Sequence, residues 1–426
     1  METNSNIPME NGRVLFTEEM RKDYTILFPN MLPRHFKLIT KVFAQFGYRA
    51  KQLENGLNGN CREIIDTGLK YVHNDACYPA LLMIGQCINA LESGEYDPHK
   101  VALLMTQTGG GCRASNYISL LRKALAKAGY DYVPVISLNI SGLEKNPGFK
   151  LTPKMINPVL YSILFGDLLM CLTNQLRAKE EVAGSAEALA DKWSDRLAER
   201  MTGRFLKYSE VKRLYREIVR DFAAIPVKDV KPVKVGIVGE IFVKFSPLGN
   251  NQLEDFLVSE GAEPVMAGLA DFLLYCIYNP IIDAKLYGRG RASAPVYKVI
   301  CDYLTKKQQD MIDIIAEEGT FMPPAPFYKT CHANEGYISS GMKMGEGWLL
   351  TAEMLELIES GVTNIICAQP FGCLPNHIAG KGMMKPIKEK NPGVNIVAID
   401  YDSGATKINQ ENRIKLMLAN AMSSEE

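Results

Sequence analysis

The strongest constraint on the fold is an alternation of apolar, strand-like runs with amphipathic helical segments, which occurs in two separate blocks of the chain. In the first block, residues 24–29 and 101–106 have the composition of buried strands. Residues 115–128 have the 3.6-residue spacing of an amphipathic helix, which Gly129 ends. A second block of this kind begins at residue 233, with strand-like runs at 233–238, 263–266, 363–368 and 395–400 and helix-like segments at 252–259 and 377–390. Strands that alternate with helices pair in parallel, so the sequence predicts an α/β protein with two Rossmann-like, doubly wound parallel-sheet halves.

Between the two blocks, strand-like runs disappear and densely charged helical periodicity takes their place. A chain of 426 residues also exceeds the size at which a single hydrophobic core keeps growing. The predicted organisation is a flexible N-terminal tail at residues 1–22, a first Rossmann-like α/β domain at 23–150, a helical connector or cap at 151–230, and a second Rossmann-like α/β domain at 231–426.

Charge and hydrophobicity exclude several classes of partner. Lys plus Arg equals Asp plus Glu at 48 each, so no overall field attracts nucleic acid or an anionic membrane. Residues 1–13 lack the basic and apolar regions of a secretory signal. The longest apolar stretches, at 161–172 and 269–278, are shorter than the roughly 20 residues that cross a bilayer. We expect a cytoplasmic protein whose ten cysteines are reduced thiols.

Half of the cysteines lie in predicted loops, at strand ends or near helix starts, where backbone N–H groups favour a thiolate. Ligands of doubly wound sheets bind at these positions. Four others lie in apolar helix-like runs and are interpreted as packing residues: Cys87, Cys171, Cys276 and Cys301. The five candidate metal ligands are Cys77, Cys112, Cys331, Cys367 and Cys373, and Cys61 is either a sixth ligand or a helix-start residue.

The spacing of these cysteines bears on which metal they would hold. Zinc sites normally contain close pairs of ligands, whereas Cys367 and Cys373, the only close pair here, are separated by five residues. Iron–sulfur clusters accept thiolates from distant loops, and nearby backbone N–H groups tune them. The five cysteines together therefore favour an iron–sulfur cluster. Taken one at a time, each cysteine could equally be a small buried residue at a turn.

Three further features have two interpretations each. Gly109, Gly110 and Gly111 either bring backbone N–H groups to a cluster or cradle a phosphate, although they lack the spacing of known nucleotide-binding motifs. His332 and Glu335 are candidate catalytic proton donors, with structural hydrogen bonding or helix capping as the alternative.

The sequence also resembles a known family in the segments that contain these cysteines. The strings HNDACYPA, QTGGGCRASNY, VPVISLN, KVGIVGEIFVKFSPLGNNQLEDFL and CAQPFGCLPNHIAGKG resemble the 2-hydroxyacyl-CoA dehydratase D-component superfamily, and more closely its double-cubane cluster branch. The resemblance extends over residues 24–419. It implies a homodimer that receives low-potential electrons from a separate ATP-dependent activase, which carries its own 4Fe–4S cluster.

Two functions follow from this resemblance. In the double-cubane branch, six cysteines of one chain hold two cubanes joined by a sulfide (8Fe–9S), and a small molecule is reduced. In the dehydratase branch, about three cysteines hold one 4Fe–4S cluster in a subunit of a radical lyase. With five matching cysteines the resemblance favours an iron–sulfur oxidoreductase with a double cubane, and the 2-hydroxyacyl-CoA dehydratase subunit is the alternative.

Overall fold

The computed structural model contains two four-stranded parallel sheets, one in each half of the chain, with helices packed around them. The predicted α/β fold class is thus confirmed. The structure describes residues 9–10, 12–57, 61–73, 75–107, 110–138, 144 and 146–423.

The first half alternates strands and helices as the sequence pattern predicts. The predicted strand at residues 101–106 matches the observed one, and Gly129 ends the following helix with a φ of 83°. The elements in chain order are β1 (Met9–Glu10), β2 (Arg13–Val14), α1 (Met20–Asp23), β3 (Thr25–Phe28), α2 (Pro33–Gln45), β4 (Arg49–Gln52), α3 (Cys61–Tyr71), α4 (Tyr78–Glu92), β5 (Val101–Thr106), α5 (Tyr117–Ala128) and β6 (Val135–Leu138).

Three long helices lie between the strands of the first sheet and those of the second. The first two pack against α2, the third packs against the first, and together they form much of the largest hydrophobic core. The helices are α6 (Pro153–Arg177), α7 (Ser185–Met201) and α8 (Tyr208–Ala223).

The second half has its own parallel sheet and two long helices between strands. The sequence pattern predicts the strands of this half but not the bounds of those two helices. Its elements are β7 (Val233–Gly239), α9 (Ile241–Phe245), α10 (Pro247–Asn250), α11 (Leu253–Ser259), β8 (Ala262–Val265), α12 (Leu269–Tyr287), α13 (Ala294–Glu318), α14 (Phe327–Ala333), α15 (Trp348–Glu359), β9 (Asn364–Pro370), α16 (Met384–Lys390), β10 (Asn395–Tyr401) and α17 (Lys407–Ser423).

The two sheets have equivalent strand orders. The first runs β4-β3-β5-β6 and the second runs β10-β9-β7-β8, so in each half the first strand of the sheet lies between the second and the third. The chain reverses its direction of winding between β3 and β5, and again between β7 and β9. Ligands of open α/β sheets bind at such switch points, beyond the carboxyl ends of the strands.

Two local regions differ from their predicted form. The stretch predicted as a flexible tail contains the β1–β2 hairpin, and Val14 and Phe16 are buried. The helix predicted over residues 377–390 is interrupted: a π-helical turn, Asn376–Gly380, and a short 3₁₀ turn precede α16.

Among the described residues, only α6 is long and apolar enough to cross a membrane by length and composition. It is longer than its predicted apolar run because the polar residues at both ends are also helical. The most apolar window of α6 is 78% buried within the protein. In this structure α6 is therefore a buried helix of the protein core.

A buried carboxylate connects the helical connector to both halves. Asp167 on α6 accepts hydrogen bonds from the Leu269 and Ala270 backbone N–H groups, at 2.8 and 2.9 Å, and so caps the start of α12. The same carboxylate contacts His35 Nε2 on α2 at 2.8 Å. Asp167 and His35 are 5% and 2% exposed, so water cannot replace these partners.

We predict that Asp167→Ala lowers the free energy of unfolding by about 3 kcal/mol, because two helix N–H groups and a buried imidazole lose their partner. Asp191→Ala is the matched control, since Asp191 forms only an exposed ion pair with Arg34 and should cost less than about 1 kcal/mol. Urea unfolding measures both variants. Equal costs would show that Asp167 does not hold these elements together.

Candidate functional site

The switch points of both sheets open into one cavity of about 530 Å³. Phe28 and Thr106, at the carboxyl ends of β3 and β5, lie on its wall, as does Glu240, immediately after β7. Most of the remaining wall is apolar and includes methionine and phenylalanine side chains. Three of the candidate ligand cysteines also line this cavity: Cys77, Cys112 and Cys373.

Cys77 is the N-cap residue of α4, and it lies at the junction of the two halves. The backbone N–H of Tyr78 donates to the Phe371 carbonyl at 2.9 Å. Gly372 has a φ of 71°, and a Cβ added to it would lie 3.2 Å from the Cys77 Cα. Glycine at position 372 therefore allows the second half to approach Cys77 closely. The Cys77 thiol contacts the Tyr117 hydroxyl at 3.0 Å.

Cys112 follows β5 and begins a short 3₁₀ helix, Arg113–Asn116. The loop is held by the Ser115 hydroxyl, which donates to the carbonyls of Gly110 and Cys112 at 2.9 and 2.6 Å. A Cβ added to Gly345 would lie 3.7 Å from the Cys112 Sγ. The segment around Gly345 therefore passes directly over this thiol.

Cys373 follows β9 in the second sheet, as Cys112 follows β5 in the first. Its carbonyl accepts from the His377 backbone N–H at 3.1 Å and contacts His377 Nδ1 at 2.7 Å. Gln369 Nε2 is 2.7 Å from the same Nδ1. These contacts fix the turn that holds Cys373 against the cavity.

The three cavity thiols share an electrostatic environment. Cys112 Sγ accepts the Ala114 backbone N–H at 3.5 Å. The backbone N–H groups of Ala114, Ala80 and Asn376 lower the pKa values of Cys112, Cys77 and Cys373, but burial outweighs them. The pKa of Cys112 is raised to about 11, and those of Cys77 and Cys373 are also raised. Backbone N–H groups directed at sulfur stabilise thiolates and tune iron–sulfur clusters, so the donor set fits such a cluster.

The other candidate ligands lie elsewhere. Cys331, predicted in a loop, is inside α14, and Cys367, predicted to close its strand, is the fourth of seven residues in β9. Both are buried, and neither lines the cavity. Cys61 begins α3 and donates to the Leu248 carbonyl at 3.5 Å, also away from the cavity wall.

The cysteines interpreted as packing residues lie in helices, as expected. Cys87 and Cys301 are fully buried, and Cys171 and Cys276 are partly exposed. None of the four lines the cavity.

Two buried carboxyl groups, Glu240 and Glu346, line the cavity near the thiols; the sequence analysis missed both. Glu240 accepts from the Val243 N–H at 2.9 Å, and Glu346 accepts from the Ile241 N–H at 3.0 Å. Burial, together with the neighbouring Glu346, raises the pKa of Glu240 to about 8. Burial also raises the pKa of Glu346. For Glu240, the sequence did contain a signal: it is a lone carboxylate directly after an apolar strand, a position that faces the crevice of an α/β sheet.

The predicted proton donors lie outside the cavity. His332 Nδ1 and Glu335 Oε1 are 2.8 Å apart, and their side chains are 68% and 74% exposed. Of the three glycines, Gly111 lines the cavity, Gly110 is described but does not, and Gly109 lies outside the described residues. His377 does line the cavity wall.

Within the described ranges, no group of three His, Cys, Asp or Glu side chains is arranged to hold a metal ion. A polynuclear cluster binds each thiolate at a different iron, so its ligands need not meet around one ion. Comparison with protein-family models and with curated proteins finds no match to this chain.

We predict that Gly372→Ala lowers the free energy of unfolding by about 1 kcal/mol more than Gly361→Ala. Both glycines have positive φ, so both variants incur a backbone cost of about 1–2 kcal/mol. Only at Gly372 does the new methyl group also meet the Cys77 backbone, whereas Gly361 faces open space. Urea unfolding measures the difference. Equal losses would show that the Cys77 segment moves away without cost.

We predict that Glu240 makes the protein less stable as the pH rises from about 4.5 to about 8. In this range the folded state keeps a proton on Glu240 that the unfolded state has lost, so unfolding becomes easier as the proton concentration falls. The slope is at most about 1.4 kcal/mol per pH unit for one proton. Glu240→Gln should flatten the profile, measured as free energy of unfolding against pH. The exposed-site control Glu335→Gln should follow the wild type, and an unchanged slope in Glu240→Gln would contradict the prediction.

Proposed function

We propose that this chain is a double-cubane iron–sulfur protein, and that Cys77, Cys112 and Cys373 supply three of the thiolates that hold the cluster. We further propose that it receives low-potential electrons from a separate ATP-dependent activase and reduces a small molecule in the same cavity. The observation that carries this proposal is that three thiols, contributed by both halves of the chain, line one cavity.

The residues of the cavity support this chemistry in distinct ways. When bound, the cluster would supply single electrons. The thiolates would bind it, and the largely apolar wall excludes water from the reacting groups. Glu240, with its pKa raised to about 8, holds a proton at neutral pH on the wall that also bears the thiols. A reduction that consumes protons would have a source within the cavity.

The placement of the cysteines favours a second candidate within the same chemistry, a 2-hydroxyacyl-CoA dehydratase subunit. That function needs one 4Fe–4S cluster on about three cysteines, which is the number on the cavity wall. A double cubane needs six, and Cys331 and Cys367 lie in other parts of the fold. Held by these three thiolates, such a cluster would supply single electrons to a substrate bound in the same cavity.

We predict that Cys112→Ser and Cys373→Ser lose most of their iron, because serine offers a hard, largely protonated hydroxyl in place of a soft thiolate. Cys87→Ser is the control: it places a hydroxyl in the core and costs about 1–3 kcal/mol if unpaired, but it should keep its iron. Iron and sulfide analysis of anaerobically purified protein, with circular dichroism to check the fold, measures this.

The same measurement separates the two candidates. About four irons per chain support the single cluster and about eight support the double cubane, as each branch implies. If Cys331→Ser and Cys367→Ser also lose iron while remaining folded, the ligand set extends beyond the three cavity thiols. Wild-type protein without iron and sulfide would refute the proposed function.

A further inference from the structure

An exposed apolar stripe runs along the first half of α13. Val296, Val299, Ile300 and Tyr303 recur with the spacing of one helix face and are 60%, 69%, 41% and 43% exposed. The opposite face of this helix packs into the core through Cys301, Leu304 and other residues. The helix is thus apolar on both sides, although one side faces solvent. A contiguous exposed apolar face of this kind marks an interaction surface.

The turn that precedes α13 adds positive charge to this surface. Residues 284–301 contain four cations and no Asp or Glu. Lys298 pairs with Asp302 on its own helix, whereas Lys285, Arg289 and Arg291 are exposed. None of these last three forms an ion pair with the part of the chain that the structure describes. We define the docking tip as residues 285–303.

A short series of contacts leads from the docking tip to the Cys112 thiol. A Cβ added to Gly341 would meet the Tyr287 hydroxyl at the tip. Lys343, two residues further on, pairs with Asp283 beside the tip. A Cβ on Gly111 would meet the Met344 Sδ, and one on Gly345 would lie 3.7 Å from the Cys112 Sγ. A single chain segment, residues 341–345, therefore separates the tip from the proposed cluster ligand.

We infer that the docking tip is where a protein electron donor binds, one whose docking face carries Asp and Glu residues around an apolar patch. Charge selects this occupant: two copies of the tip in contact would bring unpaired cations together, whereas an acidic face neutralises them. One electron would pass from the reduced centre of the donor, which is oxidised, to the cluster, which is reduced. The electron-transfer role rests on the proposed function, but docking itself does not.

The test uses an acidic plant-type ferredoxin, itself a one-electron donor of low potential, in place of the activase, and measures its binding to the full chain by anaerobic calorimetry. Arg289→Glu/Arg291→Glu should weaken binding by about tenfold or more, because two attractive charges become repulsive. Val296→Asp/Val299→Asp should also weaken binding, by disrupting the apolar stripe. The control is Arg216→Glu/Arg220→Glu, which reverses two exposed arginines of α8 and should change the affinity by less than about twofold. Circular dichroism confirms that each variant is folded.

Reduction kinetics then separate docking from function. The Arg289→Glu/Arg291→Glu variant should be reduced more slowly by ferredoxin and at the wild-type rate by dithionite, which needs no protein surface. Selective binding by a chain that holds no iron would refute the proposed function and leave the docking tip supported.

Three results would overturn the inference. The first is that wild-type protein does not bind ferredoxin, and the second is that the α8 control loses as much affinity as the tip variants. The third is a wild-type dimer, seen by sedimentation, that Val296→Asp/Val299→Asp dissociates, because the tip would then be an interface between two copies of this chain.

Discussion

The cavity depends on the contact between the Cys77 segment and the turn at Phe371 and Gly372. The hydrogen bond from the Tyr78 N–H to the Phe371 carbonyl joins a helix start in the first half to a strand end in the second. The close approach is possible because residue 372 has no side chain. The contact places the helix start that carries Cys77 beside the turn that carries Cys373. With it, thiols from both halves line the same space.

The two halves are structural equivalents with different local sequences. Cys112 and Cys373 both follow the third strand of their sheet, and both come directly after a glycine. A glutamine, Gln107 or Gln369, lies a few residues earlier in each case. Cys77 has no counterpart among these positions, since it begins the second helix of a crossover. The site therefore combines two related loops with one element that belongs to the first half alone.

The fold was largely predictable from the sequence, because hydrophobic periodicity and Gly129 directly report strands, helices and helix ends. The site was predictable only in part. Cys77, Cys112 and Cys373 share a cavity as well as a loop position, whereas Cys331 and Cys367 lie in regular elements, which flanking Pro and Gly residues did not reveal. Local sequence reports a residue's environment along the chain, but not which loops of two sheets meet. Glu346 was missed for the same reason, because only its burial beside Glu240 distinguishes it, and the one sequence signal for Glu240 was its position directly after β7.

The raised pKa values of the cavity have a consequence for how the site is filled. At neutral pH the three thiols keep their protons, and so does Glu240, so these groups line the space as neutral side chains. A cationic group that binds sulfur must displace the thiol protons as it enters. Filling the site is then an exchange of protons for metal, and the net charge of the buried space changes much less than the charge of the metal alone would suggest. Because these groups are neutral when protonated, the protein can fold with them inside an apolar wall before any metal is bound.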